Sequence, residues 1–148
     1  MIEIKQASIL HLEALLPLFM QYREFHQVPA AKKTSREFMK KRLTRNDSII
    51  WIAFVNQTAA GFVQVYPSFS SVALQPQWLL NDLFVEESSR KNGVAKELIK
   101  QVEKSAKQQG IFSIKLATSN DNKAATSLYG AMSYQPIDTF AHFTKRIE

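Results

Sequence analysis

Apolar and polar positions divide the chain into a locally paired first half and a second half in which strands alternate with helices. Ile2 and Ile4 alternate with polar neighbours in "MIEIKQA", the period of a short opening strand. Ser8 stands where a helix cap is expected, and Leu12, Leu15, Leu16, Phe19 and Phe25 then recur at helical spacing, with Pro17 as a kink or break. "KKTSREFMKKRLTRND" predicts a second helix, capped at Thr34 or Ser35, with Phe38, Met39 and Leu43 facing inward and its lysines and arginines solvated. "SIIWIAFVN" and "GFVQVYP" are rich in β-branched and aromatic residues, and "QTAAG" between them supplies the turn of a hairpin. "SFSSVALQPQ" reads as a connecting loop or an irregular strand end. From "WLLNDLFV" the order is strand, basic glycine loop, helix "VAKELIKQVEKSAKQQG", strand "IFSIKLATS", helix "KAATSLYGAM" and a last strand near "DTFAHFTKRI". Local pairing followed by alternation predicts an α/β architecture on a mixed sheet, and without a repeat or linker we expect one domain over residues 1–148.

A chain of 148 residues buries a sizeable core, and its 45% hydrophobic content is ordinary for a globular domain. The formal charge of +6 favours a phosphate-bearing partner, whether nucleotide cofactor, nucleic acid or anionic membrane, without choosing among them. Aromatic residues are not interleaved with the basic clusters as a single-strand stacking platform requires, so nucleic-acid binding rests on charge alone and is not expected. The absence of cysteine excludes disulfides, thiolate metal sites and a cysteine nucleophile, and three scattered histidines (His11, His26, His142) form no metal-binding pattern. The N-terminal stretch has an early acidic residue and no long apolar core, and no run approaches the roughly 20 apolar residues of a membrane span, so a cytoplasmic protein without membrane partners is expected.

The stretch "NDLFVEESSRKNGVAKEL" runs strand, polar loop, helix. A helix start is an anion site: its first N–H groups lack intrahelical acceptors, its dipole favours negative charge, and Gly93 lets backbone approach a ligand without a Cβ between them. Arg90 and Lys91 add positive charge. Neither a Walker loop nor a dinucleotide fingerprint is present, and taken alone the loop is as simply a capped turn with surface charges.

Two motifs together carry more. Arg90-x-x-Gly93-x-Ala95 resembles the acyl-CoA pyrophosphate loop, Arg/Gln-x-x-Gly-x-Gly/Ala, of the GNAT superfamily of N-acetyltransferases. Downstream, Asn122-x-x-Ala125-x-x-Leu128-Tyr129 followed by Ser133-Tyr134 is similar to that superfamily's closing pattern, N-x-x-A-x-x-L-Y-x-x-x-G-F, with one helix and one strand between the motifs. Ser133-Tyr134 replaces Gly-Phe, and Ala95 replaces the second loop glycine. The strand–loop unit looks most like the diamine and thialysine acetyltransferase branch, although Asn81 stands where that branch commonly has glutamate.

The resemblance implies a GNAT fold, with a mostly antiparallel central sheet, flanking helices and a splayed parallel strand pair. It implies an acetyl group moved from acetyl-CoA to a primary amine, on a small molecule rather than a protein, by direct attack in a ternary complex. Residues Arg90, Lys91, Asn92, Gly93, Val94, Ala95 and Lys96 would cradle the pyrophosphate, and Leu83, Phe84 and Val85 would hydrogen-bond the pantetheine arm through their backbone. Asn122 and Tyr129 are two helical turns apart, about 10.5 Å, on nearly one face. Asn122 would meet the pantetheine, and Tyr129 would be the general acid, since a phenol of reference pKa near 10 can donate to a thiolate as it forms. Asp82 is a carboxylate in an apolar strand, either a strand-end ion pair or a group that attracts the amine or accepts its proton. Asn81 should point to the opposite face unless the strand bulges. Acyl-CoA-binding modules with little turnover share such motifs, and protein amines are an alternative acceptor. No metal is expected, and a homodimer is one assembly to test.

Overall fold

The structure, a computed structural model, describes residues Met1–Glu148. Its elements are β1 (Ile2–Gln6), α1 (Leu12–Phe25), α2 (Lys32–Arg45), β2 (Ile49–Val55), β3 (Thr58–Ser70), β4 (Gln75–Val85), α3 (Val94–Gln108), β5 (Ile114–Leu116) and α4 (Lys123–Ala131). Residues Met1–Ala117 form one compact unit and Thr118–Glu148 a second.

The first unit holds a five-stranded sheet in the order β1-β2-β3-β4-β5. All neighbours are antiparallel except β4 and β5, which run parallel and pair only from Trp78 with Ile114 to Leu80 with Leu116. Past Leu80 that edge of β4 has no strand beside it, which is the splayed pair the motifs imply.

Both faces of the sheet are covered, so β2 reads as a continuous apolar run. Trp51 and Ala53 point with Val63, Val65 and Trp78 toward α3, whose Leu98, Val102 and Ala106 complete that half of the core. Ile50, Ile52, Phe62 and Phe84 point the other way, against Leu12, Leu15 and Phe19 of α1 and Met39 of α2. Gly61 is required by close packing, because a Cβ there would lie 2.8 Å from the carbonyl oxygen of Phe84.

Several local details differ from expectation. Helix α1 runs through Pro17 without a break, with Ser8 capping the single 3-10 turn ahead of it by accepting from the Leu10 N–H. Neither Thr34 nor Ser35 caps α2: it starts at Lys32 after Ala31 in a left-handed conformation, and the Ser35 hydroxyl donates to the Ala30 carbonyl instead. The β2–β3 turn is only Asn56-Gln57, both with positive φ, so Thr58–Ala60 belong to the strand. Such paired left-handed residues match the twist of the flanking strands. β5 is three residues long, shorter than its apolar run suggested.

The last strand, near Asp138–Ile147, does not form: residues 135–148 have no regular structure. β-propensity needs a partner to act on, and the second unit has no strand to pair with. Ile137, Phe140, Phe143 and Ile147 are left exposed.

Candidate functional site

The glycine loop begins where β4 ends. After a 3-10 turn at Glu87–Ser89 the chain reaches Gly93, whose φ of +83° is the left-handed conformation that glycine adopts without strain. Lys91 is also left-handed, and Asn92 holds the turn together by donating to the carbonyls of Ser89 and Arg90. No side chain caps α3, and its first internal bond is Glu97 N–H to Gly93 C=O. The N–H groups of Val94, Ala95 and Lys96 therefore have no partner from their own helix. A Cβ on Gly93 would project into open space. An uncapped helix start, positive side chains and room above the glycine together fit a phosphate. Arg90 also braces the loop: its Nε donates to the Val85 carbonyl at 2.8 Å and its guanidinium lies over the rings of Phe25 and Phe84.

Asp82 lies in β4 and is not a strand-end ion pair, for none of the ion pairs in the structure includes it. It is 5% exposed, and its carboxylate accepts from Gln64 Nε2 at 2.6 Å and from Asn81 Nδ2 at 3.0 Å. The contact with Asn81 depends on a bulge. Gln64 pairs with Asp82 and Val65 with Leu80, so Asn81 is an extra residue in β4. The bulge also explains why Leu83 and Val85 share a core face with Trp78 and Leu80, a change from even to odd positions along the strand.

Asn81 and Asp82 line a cleft of about 270 Å³ whose walls include Phe19, Tyr22, Phe38 and Tyr66, with Asp82 as its one carboxylate. Arg23 and His26 of α1 also border it, the former donating to the Pro29 carbonyl. Burial, and then the Asp82 charge, push the Tyr66 phenol up from its ordinary value. The sequence singled out Asp82 but neither the aromatic wall nor Gln64, whose contribution depends on strand register. A larger cleft of about 690 Å³ borders Ser88, Ser89 and Asn92, but its one charged side chain, Glu97, has the wrong sign for phosphate.

In the second unit, the Asn122–Tyr134 motif describes one short helix from cap to cap. Asn122 is the N-cap of α4, its Oδ1 accepting from Ala125 N–H at 3.1 Å. At the other end Tyr134 N–H reaches the Tyr129 carbonyl and Ser133 N–H the Gly130 carbonyl, the two bonds of a Schellman cap. Ser133 occupies its left-handed position with φ +69°, which explains why glycine is the usual residue there. The Tyr134 ring packs edge-on against Tyr129 at 5.7 Å. Tyr129 is 8% exposed, and burial pushes its phenol up to about 12.

Comparison with known proteins identifies the family and the fold. A model described as the acetyltransferase (GNAT) family matches residues 12–134. An N-acetyltransferase of Bacillus subtilis is 37% identical over 140 residues, covering 95% of this chain and 94% of the relative. A thialysine N-epsilon-acetyltransferase of Caenorhabditis elegans is 26% identical over 125 residues, covering 84% of this chain and 77% of the relative. The crystal structure of a probable acetyltransferase superposes with a TM-score of 0.92 at 36% identity, covering 99% of this chain and 98% of that one.

Proposed function

Because the chain belongs to the acetyltransferase (GNAT) family and is an N-acetyltransferase supplied by acetyl-CoA, we propose that its acceptor is a primary amine on a small, positively charged molecule. The observation that carries this reading is the buried Asp82 carboxylate, without an ion pair, in a cleft walled by aromatic rings. A buried charge without a counter-charge is costly, and a cation that enters the cleft removes that cost. Aromatic faces favour the same kind of ligand.

Acetyl-CoA brings a thioester as the activated acyl group. In the reading proposed, residues Arg90–Lys96 hold its pyrophosphate and the edge of β4 at Leu83, Phe84 and Val85 holds the pantetheine through backbone groups. Asn122 offers its remaining side-chain donors to the same arm. Attack by the neutral amine forms the C–N bond, the C–S bond then breaks, and the amine proton leaves to solvent or to a carboxylate. Tyr129 keeps its proton throughout the neutral range and donates it toward the departing sulfur. With its phenol near 12 and a reference thiol near 8.5, full transfer is uphill, so the phenol acts first as a hydrogen-bond donor to the developing thiolate. The whole chain works as one catalytic domain, in the cytoplasm. A homodimer would cover Ile137, Phe140, Phe143 and Ile147, the exposed apolar residues of the C-terminal segment.

The test is thiol release from acetyl-CoA against a panel of diamines, amino acids, aminoglycosides and lysine peptides. Turnover confined to small cationic amines supports the proposal. Turnover with lysine peptides alone replaces the acceptor class, and tight acetyl-CoA binding without turnover on any amine leaves a binding module.

A further inference from the structure

Gln64 is wholly buried in the middle of β3, and nothing in acetyl transfer asks for an amide there. Its two ends have different partners. Ser48 Oγ donates to Gln64 Oε1 at 2.8 Å, and Gln64 Nε2 donates to Asp82 Oδ2 at 2.6 Å. Asn81 Nδ2 donates to the other carboxylate oxygen at 3.0 Å. Both oxygens of Asp82 thus receive N–H donors, and the hydroxyl, the amide and the carboxylate point the same way.

That direction selects a charge state. An ionised carboxylate only accepts, which suits two amide donors. A protonated Asp82 would put a hydroxyl oxygen in place of one of these carboxylate acceptors, and a neutral oxygen accepts more weakly than a charged one. Relieving the Gln64 contact would mean rotating a fully buried amide until its oxygen faced Asp82, and the Ser48 hydroxyl would then lose its acceptor. We infer that Gln64 and Ser48 are positioning residues that lock Asp82 as an anion facing the cleft, so that Asp82 anchors a cation rather than taking up the proton of the reacting amine. The inference rests on the reading that Asp82 meets the acceptor, but the lock itself is tested without any acceptor.

Other charged and titratable groups face this carboxylate and stay in place in the variants below. They are Tyr22, Arg23 and His26 on α1 and Tyr66 on β3, all lining the same cleft; the Arg42–Asp47 ion pair at the end of α2 acts on Tyr66 and is likewise left in place. The measurement is the titration of the Asp82 carboxyl carbon by NMR in the full-length chain, with folding checked by thermal melts. Gln64→Leu fills similar space without a donor. Hydrogen bonds to a charged group are strong enough that its midpoint should rise by about 1–2 pH units. Ser48→Ala, which leaves Gln64 free to rotate, should move it less in the same direction, while Ser48→Thr, which keeps the hydroxyl, should hold it near the parent value. An unmoved midpoint in folded Gln64→Leu overturns the inference. Should that variant not fold, Ser48→Ala titrating like Ser48→Thr overturns it equally.

In the thiol-release assay the lock predicts that Ser48→Ala and Gln64→Leu raise KM for a strongly basic amine more than they lower kcat, and shift the acidic limb of kcat/KM upward. A displaced NMR midpoint with unchanged kinetics for every amine turned over would keep the lock but overturn the placement of Asp82 at the acceptor.

Discussion

Helix α4 and the Asp82 cleft are built on opposite plans. In α4 every contact that defines the motif spans a few residues: Asn122 to Ala125, Tyr134 to Tyr129, Ser133 to Gly130. In the cleft, Asp82 is held by Gln64, 18 positions away, which is held in turn by Ser48, 16 positions further back. A locally built element tolerates a change at one residue without disturbing the others. A network assembled across strands transmits a change at one member to the rest, because the Ser48, Gln64 and Asp82 side chains are buried and each donor has a single acceptor. The two regions should therefore respond differently to substitution.

The largest effect is expected where a local scaffold presents the proposed acid. Tyr129→Phe keeps the ring that packs on Tyr134 and removes the proton, so turnover should fall about 10²- to 10⁴-fold with little change in acetyl-CoA affinity or melting temperature. Steady-state kinetics and calorimetry on the same preparation separate these quantities, and an unchanged turnover would make water or another group the acid.

Asp82→Asn tests the networked region. At pH 7 a lysine-type amine is almost wholly charged, since its reference pKa is near 10.4. Loss of the one carboxylate in the cleft should lower kcat/KM for such an amine about 10- to 100-fold, mainly through KM, with a smaller effect on weakly basic amines. The change should also disturb stability, because the new amide cannot accept from Gln64 and Asn81 as both carboxylate oxygens do. Equal kcat/KM losses for strongly and weakly basic amines would remove Asp82 from acceptor binding.

The glycine loop offers a test between the two plans, because its conformation is local while its proposed ligand is not part of the chain. Gly93→Asn places a side chain that tolerates the left-handed backbone into the open space above the loop. Acetyl-CoA affinity should drop roughly 10-fold or more if backbone hydrogen bonds to the phosphates are lost, while the melting temperature stays near that of the parent. Gly93→Val adds strain at φ +83° and should lose stability as well. Unchanged affinity in Gly93→Asn would move the phosphate site elsewhere.

The smallest effects concern stability alone. Ser133→Gly relieves a left-handed serine in the α4 cap and should stabilise the chain by about 1 kcal/mol, or roughly 2–4 °C in Tm. The alkaline limb of stability follows from Tyr129. Its phenol titrates near 12 when folded and near 10 when unfolded, so the stability it contributes is complete below about pH 10 and lost as the pH rises toward 12. Tyr66, also shifted upward, adds to the loss. Melts at pH 9 to 12 should show a shallower decline in Tyr129→Phe than in the parent.

What could be read from residue order alone is what short-range physics controls. The alternation in β1, the apolar spacing of α1 and α3, the glycine before α3 and the N-cap and Tyr129 of α4 all depend on neighbours within about a turn of chain, so periodicity and motif spacing identify them. Tertiary structure decided the rest. Whether "DTFAHFTKRI" becomes a strand depends on a partner strand that its own unit lacks. That Asn81 lies beside Asp82 depends on a bulge visible only in the pairing of β3 with β4, and the Asp82 network depends on which residues of β3 fall opposite β4. Register is a property of two segments at once, set by the side chains both must bury, and neither segment carries it by itself.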